Sequence, residues 1–198
     1  PAVVSTFNQA LADMEEAGAE LVDPINLPDF ESLSILLIPM EFADHLDEYL
    51  TSFDAPHPDT ESVFLSGRAH PVIQALIGAS LALRDTESAS YQQTLARRNE
   101  LREYVEQFMD DNNLDALVYP PVLQPAMETG LVQGDNCEFG STTGLPSIVV
   151  PAGFSEDQRP RPVGVEFLGR KWDESTLFGL AYAYEQQTRH RRPPEFYQ

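Results

Sequence analysis

The chain has 198 residues, 42% of them hydrophobic and 10% aromatic, which is enough apolar side chain for one sizeable core and argues against whole-chain disorder. Thirty-two acidic against 12 basic residues leave a net charge of −20, and such a surface repels phosphate backbones and anionic lipid, so neither nucleic acid nor a membrane is an expected partner. A lone cysteine, Cys137, excludes an intrachain disulfide and a multi-cysteine metal site.

Taken from the N-terminus, Val3, Phe7, Leu11 and Met14 recur at helical spacing over residues 2–17, and Gly18 is the expected stop. A short strand over residues 19–22 is expected next, ended by Pro24 and Pro28. From 32 to 53 the rhythm is helical, with Phe42, Leu46, Tyr49 and Leu50 on one side, and Pro39 is expected to kink or divide the helix. Asp44, Asp47 and Glu48 fall on the other side, which reads as a solvated face. Residues 55–59 read as loop, and an apolar helix is expected over 71–83. His45, His57 and His70 form no i, i+4 pair, so no metal site and no cofactor is expected.

Residues 91–109 carry the clearest helical stripe, Leu101, Tyr104, Val105, Phe108 and Met109. A buried strand over 114–119 follows, with a right-handed crossover onto a sheet as its natural geometry. The segment 124–135 has no clean period and leads into residues 136–170, on which the chain is organised. There Gly140 and Gly144 with Ser141, Thr142 and Thr143 read as a compact turn. Two β-branched runs, 147–150 and 163–168, predict an antiparallel pair. Pro146 and Pro151 bracket the first run and limit it to about four ladder residues. In the second, Val163, Val165 and Phe167 share one face, as expected of a strand covered mainly on one side. Asp173 is placed to cap a last helix whose Leu177, Leu180, Ala181 and Tyr184 face inward, and Arg189, His190, Arg191 and Arg192 sit at its end, where positive charge suits the dipole.

The ordered string from Asn136 through Gly-Leu-Pro-Ser at 144–147, Val-Val-Pro-Ala-Gly-Phe at 149–154 and Arg-Pro-Val-Gly-Val-Glu-Phe-Leu-Gly-Arg at 161–170 resembles the C-terminal part of the amidase signature family. GAELVDPINLP, LDALVYPP, LLIPMEFADHLDEYL and AYAYEQQTRHRRPPEF extend the resemblance, the last two toward its peptide-amidase-like branch. The resemblance implies an α/β fold, a mixed β-sheet with helices on both faces, and residues 1–198 as a single domain that is the C-terminal portion of the family's domain. It further implies that the intact enzyme hydrolyses a carboxamide to a carboxylate and ammonia or an amine through two serines and a neutral lysine, without a metal. That chemistry belongs to a Gly- and Ser-rich loop in an N-terminal half, and Gly140-Ser141-Thr142-Thr143-Gly144 is the nearest approach to such a loop in this chain. No catalytic residue is therefore expected here, the chain alone is expected to be inactive, and the missing half is its expected partner.

What these residues would contribute is substrate shape. Asp135, Asn136, Cys137, Phe139 and Gly140 are the candidates to line the pocket of a small amide. Asn136 holding its own turn through a side-chain to backbone bond, and Cys137 as a small buried thiol, are the competing readings. A pairing of Lys171, the only lysine, with one of the small hydroxyls is disfavoured, because Lys171 opens a polar turn where an exposed ammonium is the default. Two alternatives to a simple amidase stand beside it: the glutaminase subunit of a tRNA-dependent amidotransferase, and a non-catalytic scaffold derived from the fold. A soluble protein is expected, with the cytoplasm the slightly better fit, and many carboxylates with few lysines would also suit a high-salt habitat.

Overall fold

The computed structural model describes residues 2–27, 37–127, 134, 136–157 and 159–193, excluding the side chain of Cys137. Their backbone forms α1 (Ala2–Glu16), α2 (Ile38–Ser52), α3 (Thr60–Leu65), α4 (Pro71–Leu83), α5 (Ala89–Asp111), β1 (Leu117–Tyr119), α6 (Cys137–Thr143), β2 (Ser147–Phe154), β3 (Pro162–Leu168) and α7 (Glu174–Thr188). The chain is α/β, and it divides into two compact units, residues 1–28 with 102–198, and residues 29–101.

In the first unit the three strands run in the order β1-β3-β2, antiparallel throughout, with Val150 opposite Val165 and Val118 opposite Phe167. The predicted pair is therefore present. The right-handed crossover expected to bring β1 onto the sheet has no parallel neighbour among the described strands, since β1 meets β3 antiparallel. Nor does Pro151 end β2: the strand runs on to Phe154 with an irregularity between Pro151 and Gly153. The reason is position, because β2 lies at one side of the described sheet, where a residue without an N–H costs no ladder bond on its open side.

Val150, Ala152, Val165 and Phe167 form one face and pack with Ala10 and Met14 of α1 and Leu177, Ala181 and Tyr184 of α7. Helical spacing brings these residues onto one stripe of each helix; the predicted set of α7 faces inward, whereas in α1 the buried stripe is Val3, Thr6, Ala10 and Met14, with the predicted Phe7 and Leu11 half-buried beside it. On the opposite face Glu166 and Leu168 are also buried, so β3 is covered on both sides rather than one. The predicted strand over 19–22 is not formed, and Leu21 instead rests against the core as irregular chain. In α5, Leu101, Val105 and Met109 are fully buried at i, i+4 spacing, as the stripe predicted.

Gly169 leaves β3 against Leu177, and a methyl group there would lie 3.0–3.2 Å from three carbons of that buried side chain. Leu177 belongs to the core and has nowhere to retreat. Gly169→Ala is expected to lower stability by roughly 1–2 kcal/mol, measured by urea unfolding; an unchanged midpoint would contradict this packing.

The second unit is helical. Pro39 occupies the first turn of α2, where its missing N–H is harmless, so it neither kinks nor divides the described helix; residues 32–36 lie outside the described set. The acidic flank of α2 is a solvated face only at Glu48, which is exposed. Asp44 and Asp47 both bind Arg84, and Asp47 also accepts from Thr60, whose side chain is fully buried. Helix α3, between the expected loop and α4, was not anticipated; a capping box between Asp59 and Ser62 opens it. Helix α4 has the predicted bounds, and His70 caps it by accepting the Val72 N–H at Nδ1.

Candidate functional site

The expected compact turn at 140–144 is a helix of two turns, α6, closed by Gly144 in the left-handed region (φ 68°) with its N–H donating to Gly140 O at 2.9 Å. Small residues read equally as turn or short helix; the deciding signal, legible in retrospect, is a glycine one residue beyond the last helical position.

Asn136 immediately precedes α6, and its side chain caps neither that helix nor its own turn. Its Nδ2 donates to Pro120 O at 2.7 Å, and its backbone N–H donates to Pro121 O at 3.0 Å. Gly134 O accepts from Leu123 N–H at 2.8 Å. The segment between β1 and α6 is thus drawn together at its base, and Asn136 fixes the start of α6 against the exit of β1. The two proline carbonyls make this possible, since they are acceptors that no ladder bond uses.

Phe139, half-buried on α6, lies against Tyr119 at the end of β1 with ring centroids 5.4 Å apart and planes tilted by 48°. Gly140 faces β2 and β3, where an added Cβ would find Ser147 Oγ at 3.5 Å, Leu168 Cδ1 at 3.6 Å and Glu166 Oε1 at 3.9 Å, all ordinary contacts. Since alanine is the better helix former by up to about 1 kcal/mol, Gly140→Ala is expected to leave the thermal midpoint unchanged or slightly raised. Of the candidate pocket residues, Asn136, Phe139 and Gly140 are brought together where β1 ends. Asp135 and the side chain of Cys137 lie outside the described residues.

The small hydroxyl best defined in α6 has a structural role. Thr143 is fully buried, donates to Phe139 O at 2.8 Å and accepts from Leu145 N–H at 3.3 Å. Lys171 is exposed, with Nζ 5.8 Å from the centroid of the Trp172 ring. Among the described residues no group of three or more His, Cys, Asp or Glu side chains is arranged to hold a metal. Among them, too, no helix is long and apolar enough to cross a membrane.

The family model described as Amidase matches residues 1–178. The chain is 28% identical over 216 residues to a glutamyl-tRNA(Gln) amidotransferase subunit from Moorella thermoacetica, covering 98% of this chain and 43% of that protein. A putative amidase from Arthroderma benhamiae is 29% identical over 229 residues, covering 96% of this chain and 35% of that protein. Among solved structures, the native peptide amidase from Stenotrophomonas maltophilia superposes with a TM-score of 0.76 at 28% identity, covering 98% of this chain and 41% of that one. The chain therefore spans well under half the length of the proteins it matches.

Proposed function

The chain belongs to the Amidase family, and we propose that it is the supporting, pocket-shaping portion of an enzyme that hydrolyses a carboxamide to a carboxylate and ammonia or an amine. The observation that carries this reading is the likeness to a peptide amidase over 98% of these residues but 41% of that enzyme. Amide cleavage needs an activated nucleophile, a proton donor for the leaving amine and donors for the oxyanion. In this reading two serines and a neutral lysine outside these residues supply them, and residues 1–198 are the C-terminal portion of one amidase domain. Asp135, Asn136, Cys137, Phe139 and Gly140 shape the pocket. Support for this comes from Asn136, which sets the start of α6 against β1, and from the Phe139 and Tyr119 rings, which give the site an apolar wall.

The Moorella relative favours a second reading, the glutaminase subunit of a tRNA-dependent amidotransferase. The net charge of −20 weighs against it, since a tRNA partner would meet like charge over much of the surface. Ammonia release by the intact protein from C-terminal peptide amides, simple amides and glutamine separates the two. Turnover of peptide or simple amides supports the amidase; turnover confined to glutamine and dependent on charged tRNA supports the amidotransferase. No release from any of these marks a non-catalytic scaffold, and full activity from residues 1–198 alone would overturn the placement of the chemistry.

A further inference from the structure

Three arginines stand within four residues beyond α7, in a protein whose carboxylates outnumber its basic side chains by 32 to 12. Among the described residues, none of Arg189, Arg191 and Arg192 has a carboxylate within 4.0 Å, although Arg161 and Arg170 each have one and Arg84 has two. Arg189 and Arg192 instead line a cleft of about 470 Å³ between the end of α7, the start of α1 and the far end of β2.

Each wall of the cleft is held by identifiable contacts. Arg189 ends α7 in the left-handed conformation (φ 50°, ψ 37°), with its N–H donating to Glu185 O, so the chain turns out of the helix there. The next residue, His190, places Nε2 2.9 Å from Asp13 Oδ2 and so moors the segment to α1. Arg192 stacks its guanidinium over Phe154, 3.9 Å from the ring centroid, which orients the group while leaving its N–H edge to make bonds. Thr6 donates to Phe154 O at 3.2 Å, and Gly153 (φ +135°) lets α1 and β2 approach closely, since a Cβ there would lie 3.2 Å from Thr6 Cγ2.

We propose that this cleft, lined by Arg189 and by Arg192 stacked on Phe154, binds a small oxyanion bearing two or more negative charges, a phosphate or a polycarboxylate. The planar, permanently charged guanidinium matches such oxygens with paired N–H bonds. The C-terminal dipole of α7 opposes an anion with only about half a charge, whereas the two arginines supply two. Glu156 also lines the cleft, and its single negative charge is outweighed by the two arginines. The inference does not depend on the amide chemistry proposed above.

Calorimetric titration of the intact protein with inorganic phosphate and, separately, with citrate, at ionic strength held constant with chloride, tests it. Saturable one-site binding of either is expected, and which of them binds identifies the anion. Arg189→Gln and Arg192→Gln should each weaken it at least tenfold, Arg192→Lys by less, and Arg68→Gln, an exposed arginine in the other unit, not at all. The Arg192 variants decide the matter if the Arg189 variant loses its fold by circular dichroism. Absence of saturable binding for both anions, or the same affinity in Arg192→Gln as in the unaltered protein, overturns the proposal.

Discussion

Tyr184→Ala should lower the stability of the first unit by about 3–5 kcal/mol, while Tyr184→Phe should leave it unchanged or raise it by about 1 kcal/mol. Tyr184 is 1% exposed and heads the fully buried side chains by volume, with its ring 6.2 Å from that of Phe167 in the core beneath β3. Truncation removes that volume where α1, α7 and the sheet meet, and a rigid interior does not collapse to refill it. The hydroxyl, by contrast, has no hydrogen-bond partner among the described residues. Burial, with the Asp13 carboxylate adding to it, pushes the phenol well above its ordinary value. Folding thus strips water from the hydroxyl without replacing it, and phenylalanine avoids that cost. Urea unfolding of both variants is the check, and a phenylalanine variant as damaged as the alanine variant would mean that the hydroxyl has a partner.

Asp47→Ala is expected to cost about 2–3 kcal/mol in the second unit. Asp47 Oδ1 accepts the Thr60 N–H at 2.6 Å and the Thr60 hydroxyl at 2.7 Å, and the same carboxylate binds Arg84. The hydroxyl has another acceptor in Ala43 O at 3.0 Å, but the N–H at the start of α3 would be left without its bond. Burial disfavours the charged form of Asp47, yet the bonds from Thr60 and Arg84 outweigh it and hold its carboxyl below the ordinary value of 3.8. A depressed carboxyl stabilises the fold above its unfolded value, and that stability is lost as pH falls through the lower folded value. Asp47→Asn should therefore flatten the decline in stability below about pH 4; an acid limb as steep as in the unaltered protein would show that the charge contributes nothing.

How far the sequence could be read differs from element to element. Periodicity located α1, α5 and α7, because each carries enough apolar residues at helical spacing to mark a stripe, and an apolar run opened by Pro71 located α4. The same logic held only in part for α2, where Leu46 and Leu50 are half-buried and Glu48 is exposed. Phe42 and Tyr49 are exposed and Asp44 and Asp47 are engaged, since buried Thr60 and the arginine at the end of α4 come from elsewhere in the chain. Within the candidate site, the residues that resemble a family motif were visible, but the partners of Asn136 were not. Pro120 lies 16 residues away, and a side-chain amide has no sequence signal for a distant carbonyl.

Local patterning, then, determined α1, α5 and α7, the antiparallel pair β2 and β3, and the family, because each of these is written in contiguous residues. Only the tertiary structure decided that β2 continues through Pro151, that residues 19–22 stay unpaired, that both faces of β3 are covered, and that Arg189 and Arg192 share a cleft with Phe154. Each of those outcomes depends on what a distant segment places against the residue. A proline is tolerated or not by its place in the sheet, and a charge is solvated or bound by the neighbour that the fold brings to it.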